Sequence, residues 1–315
     1  MLRTLLLHTA CLALLVPGLL TGCGDDPPAD PGSTDTTKVP VDTLVEYLSP
    51  DTLGIIADER LTELSGIAPS RLRDNLFWMH NDSGDEPRLF AVNSVGRTLA
   101  VCSVGNATHE DWEDMASVLL QGTSWLYIGD FGDNDGNRSS VQVYRLQEPE
   151  VDTSWVNRSV QAEAERATLS YEDGPRDCEA LMVDPVSGDM YLVEKTDSRA
   201  AGIYHASWPG DGGQTVLRRV AMLSMPFSFS FFRRVTAADL SADGRSAVFR
   251  SYGGIVEHYA VSGRTPDELM AADSSATIYS PALPQAEAVC YLRNGRAIVT
   301  GSEGSRQPLV IIPRK

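Results

Sequence analysis

The chain has 315 residues, with 43 Asp and Glu against 26 Lys and Arg and a formal net charge of −17. That balance argues against nucleic acid or an anionic membrane surface as the main partner, because both are held by Lys and Arg patches. Beyond the N-terminal segment three cysteines remain, Cys102, Cys178 and Cys290, an odd number without metal-ligand spacing, so disulfides are not the main source of stability.

The first 22 residues have the form of an export signal. Arg3 precedes an apolar run from Leu5 to Leu20, and Leu20-Thr21-Gly22-Cys23 resembles the bacterial lipobox, the cleavage and lipidation signal of exported lipoproteins. Pro17 and Gly18 interrupt a run already short for a bilayer, which argues against a membrane-spanning helix. The expectation is a lipid anchor on Cys23, then a flexible tether rich in Asp, Pro, Thr and Ser over residues 23–44. Residues 45–315 are expected to form one extracytoplasmic domain, a monomer attached to a bacterial membrane through that lipid.

From there a short phrase returns five times: ELSGIA ending at Ala68, DWEDMA at Ala116, DCEALM at Met182, VTAADL at Leu240 and QAEAVC at Cys290. After each, a turn leads to a second apolar run (LFWMH, WLYIG, MYLVE, SAVFR, AIVTG) and then a third (RLFAV, VQVYRL, GIYHAS, IVEHYAV, PLVII). These β-branched and aromatic runs, bounded by Gly, Asn, Asp and Pro, predict strands. Asp243-Gly244 and Asn294-Gly295 fall between first and second runs, where an antiparallel hairpin needs positive φ. TLAVCSV, ERATLSY, VLRRVAML and SATIY supply fourth runs, whereas the last unit lacks one and would borrow LGIIADE near Ile55. The expected fold is all-β: a β-propeller with five blades of four antiparallel strands, its ring closed by an N-terminal strand. A degenerate unit in the 66-residue interval between Glu113 and Glu179 would make six blades.

Placed in register, the phrases align Ser65, Glu113, Glu179, Thr236 and Glu287, with Glu63 an alternative to Ser65. Innermost strands line a propeller's channel, so these side chains would converge. Carboxylates sharing a narrow channel raise one another's pKa, and a bound cation removes the conflict. Ca²⁺ suits an all-oxygen set, whereas zinc prefers nitrogen and sulfur and Mg²⁺ a tighter octahedron. Ordered water and backbone amides of neighbouring strands would satisfy the same side chains without a metal.

Antiparallel pairing brings the end of each second run to the same mouth. Asp82, Asp130, Lys195 and Arg250 are therefore candidates for catalysis or ligand contact, with His80, Asp133, Asn134 and Glu303 nearby in the same turns. Turn residues of these types also arise for backbone reasons alone. Acids and cations in one cup suit a small anionic ligand, phosphorylated or carboxylated. No G-x-S-x-G elbow is present, and nothing pairs His80 or His109 with a serine.

The phrases ELSGIA with LFWMHNDSG, and DWEDMA with LYIGDFGDN, resemble those of calcium-activated nucleotidases of the apyrase type. That resemblance implies a five-bladed propeller with a central calcium held by Ser65, Glu113, Glu179, Thr236 and Glu287, with Thr236 standing where Ser is more usual. The same phrases are similar to bacterial propeller lipoproteins described as phytase-like or esterase-like. The nucleotidases continue with a Gly-Lys-Glu-Trp type stretch that helps form the nucleotide site, and Gly132-Asp133-Asn134-Asp135 takes its place here. The sequence thus carries two functional readings: a calcium-binding module for a ligand or envelope partner, and a calcium-dependent hydrolase of phosphate esters or phosphoanhydrides. A module whose calcium only rigidifies it is the plainer third.

Overall fold

The computed structural model describes residues 45–260, 265–271 and 275–315, and the export signal, Cys23 and tether expected from the sequence lie outside them. The chain begins with β1 (Asp51–Ile55) and continues through β2 (Leu64–Pro69), β3 (Leu76–Asn81), β4 (Arg88–Asn93) and β5 (Thr98–Gly105). The last four form an antiparallel meander. The next comprises β6 (Trp112–Leu120), β7 (Thr123–Asp130) and β8 (Val141–Gln147), then β10 (Glu165–Tyr171) after an interposed β9 (Arg158–Glu163).

β11 (Cys178–Val183), β12 (Met190–Glu194), β13 (Ala201–Ala206) and β14 (Gln214–Leu223) repeat the pattern. So do β15 (Val235–Leu240), β16 (Ser246–Ser251), β17 (Gly254–Tyr259) and β18 (Ser275–Ile278). Two short helices, α1 (Ser230–Arg233) and α2 (Pro266–Met270), lie before β15 and before β18. In the final sheet β19 (Ala288–Tyr291), β20 (Ala297–Gly301) and β21 (Pro308–Pro313) are completed by β1, which runs antiparallel to β21 with Thr52 opposite Val310.

The inner strands of each sheet are buried on both faces because each sheet packs against two neighbours. Trp78 and Leu99 meet Trp112, Ile128 and Tyr144; Tyr127 and Val143 meet Leu181 and Leu192; Met182 and Val193 meet Leu240 and Phe249. Val248 and Ile255 meet Val289 and Ile298, and Cys290 and Val299 close the cycle against Ile67, Phe77 and Phe90. The first strands β2, β6, β11, β15 and β19 pack side by side in that order, and β19 returns to β2. This cyclic packing makes the all-β fold propeller-like, with the repeated phrase at its axis.

Two pairings depart from independent four-strand units. β9 runs parallel to β5, with Cys102 opposite Val160, and β10 runs parallel to β14, joining two meanders into one eight-stranded sheet. Both cover strand edges whose N–H and C=O groups would otherwise be open to another chain. The long interval between Glu113 and Glu179 holds β9 rather than a further meander. At the predicted turns only the glycine takes positive φ, 67° at Gly244 and 68° at Gly295, and each glycine N–H donates to a carbonyl three residues earlier, that of Ser241 or Leu292. Cys102, Cys178 and Cys290 are all buried free thiols.

Candidate functional site

Each aligned residue sits where its inner strand begins, and in four units the ladder is irregular at that residue. Pairing skips from Leu64 opposite Asn81 to Gly66 opposite His80, leaving Ser65 as the extra residue. Glu179 is left out between Cys178 and Ala180, and Thr236 between Val235 and Ala237. Glu113 lies with Asp114 in the break between Trp112 and Met115. A bulge bends its strand and re-aims the extra side chain, here off the packed faces of the sheets. Gly66 serves the same place, since a Cβ there would fall 2.1 Å from Nε2 of the buried His80.

Two neighbouring pairs of units are tied directly at the column. Ser65 Oγ donates to the Glu113 carbonyl, and Thr236 Oγ1 donates to the Ala286 carbonyl at 2.9 Å, beside Glu287. Giving away the single hydroxyl proton leaves both oxygens with lone pairs to offer. Lys195 forms an ion pair with Glu179, and Tyr252 donates its hydroxyl to Glu287 at 2.6 Å. Each of these carboxylates keeps further lone pairs.

The electrostatics of the mouth are those of crowded acids. Burial, then the carboxylates of Glu179, Asp82 and Asp111, hold Glu113 well above the usual carboxylate range. Burial lifts Glu179 to about 8 against the pull of Lys195, with Asp177 and Glu287 adding to the rise. Burial and the shared hydrogen bond with Glu287 lift Glu303 to about 9, and burial with Asp82 lifts Asp111 to about 6. Burial opposes the charge on Lys195, but Glu179 outweighs it and holds the ammonium above its ordinary value. One carboxylate oxygen from each of Asp82, Asp111 and Glu113 lies within 4.8 Å of the others.

The four candidates for catalysis or ligand contact fare differently. Asp82 stands in this acid group, pushed up by burial and by Glu287, and Lys195 reaches it through Glu179. Asp130 is fully buried and committed to local structure: it pairs with Arg138 at 3.0 Å and accepts the Asp111 N–H at 3.2 Å. Arg250, at the end of β16, donates to Ser280 Oγ at 2.6 Å. Of the neighbouring turn residues, His80 is buried, with Nδ1 2.9 Å from the Asn81 carbonyl, and burial draws it down to about 4. His109 lies against Trp112, and among the described residues no serine accompanies either ring.

Sequence reasoning missed Asp111 and Asp177, although the signal was present. Glu63, Asp111 and Asp177 each precede an aligned residue by two, the spacing that returns a strand's side chain to the same side. Asp114 and Asp239 were also missed. Asp114 accepts backbone N–H bonds from Leu181 at 2.9 Å, Ala238 at 3.0 Å and Met115 at 2.8 Å, tying three inner strands together. Asp239 does the same for Tyr291 at 2.8 Å and Leu240 at 2.9 Å. Channel acids satisfied by backbone amides thus exist, but they are the acids one position beyond Glu113 and three beyond Thr236.

Chemically, the mouth offers carboxylate and hydroxyl oxygens with lone pairs to spare, and no nitrogen or sulfur ligand among the aligned residues. That donor set suits a hard cation of flexible coordination. No family model matches the chain, and no curated protein does. Among solved structures it is similar to the PQQ-bound aldose sugar dehydrogenase of Streptomyces coelicolor at 13% identity, with a TM-score of 0.47, over 85% of this chain and 98% of that one.

Proposed function

We propose that this chain is a calcium-binding propeller of five blades, exported and held at a membrane by a lipid on Cys23, that binds a small anionic ligand or envelope partner at its channel mouth. The observation that carries the reading is the column of Ser65, Glu113, Glu179, Thr236 and Glu287, the first four at breaks in their ladders, with Glu179 raising Glu113 and Glu287 raising Glu179. The cycle of first strands supports the count of five. Ca²⁺ takes about six to eight oxygens, so Asp82 and Asp111 would join the column or order its waters. Lys195 and Tyr252 would hold Glu179 and Glu287 in orientation from outside.

Metal bound only by the folded state stabilises it by mass action. At a hundredfold excess over Kd this amounts to about 2.7 kcal/mol, or roughly 5 °C in melting temperature for a domain of this size. The test is the melting curve of the full chain in detergent, in calcium against chelator. A rise of that order is expected, and superimposed curves would remove the metal from the proposal.

A calcium-dependent hydrolase of phosphate esters or phosphoanhydrides is the second reading. It is favoured by Asp111, half-buried beside Glu113 and lifted to about 6, near the pH at which a general base works best. Nucleoside diphosphates, phytate and nitrophenyl esters offered with calcium and with chelator distinguish the two. Turnover that requires calcium and disappears in Asp111→Asn supports the hydrolase, whereas no turnover of any of them leaves a binding module.

A further inference from the structure

Arg250 is the one buried arginine of the described residues whose Nε has no hydrogen-bond partner. It is 2% exposed, no carboxylate of the described residues lies within ion-pair distance, and its side chain bonds to Ser280. Burial draws it down to about 10, which leaves it a cation at neutral pH. A buried charge without a counter-ion is costly, and the described residues supply none here.

The guanidinium lines a cavity of about 270 Å³ whose other walls include Phe227, Phe232, Tyr252, Ser280 and Pro281. The walls are fixed. The Gly253 N–H donates to the Phe232 carbonyl at 3.0 Å, and a Cβ on Gly253 would fall 2.6 Å from that same oxygen. Phe231 stacks on Tyr252 at 4.7 Å, and Tyr252 in turn bonds Glu287, so the cavity adjoins the acid mouth. The volume is near the lower end for ligand cavities and admits a small molecule.

We propose that this cavity is an anion subsite, in which Arg250 takes the carboxylate or phosphate of a small ligand whose apolar or aromatic body lies against Phe227, Phe232 and Pro281. Planar, forked donors suit both oxyanions, and the apolar walls lie beside the guanidinium to receive the ligand's body. The subsite rests on the ligand-binding half of the proposed function and is independent of the calcium.

The test is calorimetric titration of the full chain in calcium-free buffer with benzoate, phenyl phosphate and neutral benzyl alcohol. Benzoate or phenyl phosphate is expected to bind at least about tenfold more tightly than the alcohol, the scale of one charge-assisted bond, and the stronger of the two names the oxyanion. Arg250→Met, which fills similar space without a buried charge, is expected to melt no lower than the parent and to lose the preference. Arg250→Lys keeps part of it, and Phe232→Ala, at the cavity rim, weakens the aromatic anions but not inorganic phosphate. The last two variants keep the test open if Arg250→Met does not fold.

Absence of anion binding to the parent up to about 10 mM, a concentration that would reveal even very weak binding, overturns the subsite. So does an undiminished preference in Arg250→Met. Binding that needs calcium and survives in Arg250→Met places the anion on the metal, overturning the subsite while leaving the calcium reading in place. Arg250-dependent binding in a protein that ignores calcium does the reverse.

Discussion

Glu113 and Asp114 are neighbours in one strand and almost equally buried, yet they do opposite work. Asp114 collects N–H donors from three inner strands, and burial holds its carboxyl well above the usual range against the pull of those donors. Among the described residues no hydrogen-bond donor reaches the Glu113 carboxylate, and its charged neighbours are mostly other acids. One level of the channel is a satisfied lock, and the other is a cluster of crowded acids that cannot all ionise without a cation. Burial of an acid therefore does not mark function; what surrounds the carboxylate does.

The comparison breaks most sharply under substitution. Asp114→Ala strands backbone donors on three strands and is expected to cost about 3–5 kcal/mol in a denaturant melt, with or without calcium. Glu113→Gln removes a buried acid that cannot ionise freely beside its neighbours and is expected to hold or raise stability in chelator, while abolishing most of the roughly 5 °C calcium response. If Asp114→Ala costs under about 1 kcal/mol, or if Glu113→Gln keeps its calcium response, the two levels are not distinct in this way.

Part of this was legible in the sequence. The repeated phrase gave the order of the meanders, and the missing last strand pointed to the segment near Ile55 that supplies β1. The bulges were not legible. A strand buried on both faces is a continuous apolar run, so an extra residue breaks no visible alternation. Ser65, Glu179 and Thr236 could be aligned with one another without any sign that the ladder skips each of them. The lock was hidden for the same reason: Asp114 and Asp239 are acids inside apolar strands, and only their partners on other strands explain them. The pairing of β9 with β5 was equally silent, since Arg158–Glu163 is polar and largely exposed and resembles a loop.

A pH titration sharpens the comparison further. Asp111 near 6, Glu179 near 8 and Glu303 near 9 all hold protons in the folded state that the unfolded chain releases near the ordinary carboxylate value. The stability tied to those protons is fully present below the unfolded pKa and is lost as pH rises through the folded values. In calcium-free buffer the melting temperature is thus expected to fall from about pH 5 to pH 9, and saturating calcium is expected to flatten the fall because the metal takes the place of the protons. A calcium-free melting temperature that climbs across this window would show that the mouth is not under repulsion.

The smallest effect asks whether the hydroxyls belong to the lock or to the mouth. Thr236 is fully buried and donates to the Ala286 carbonyl, a bond that by itself belongs with the lock. Thr236→Val keeps the shape and removes the hydroxyl, which costs about 1 kcal/mol for the lost bond and the stranded carbonyl. If that bond is all the hydroxyl does, the deficit is equal in calcium and in chelator, and Thr236→Ser repairs it in both. If the oxygen's remaining lone pair also serves the cation, the deficit widens in calcium, affinity falls by roughly tenfold, and Thr236→Ser restores the response. The widening is expected, because the bulge that frees Thr236 is of the same kind that frees Ser65 and Glu179, and a hydroxyl needed only for the backbone would not require one.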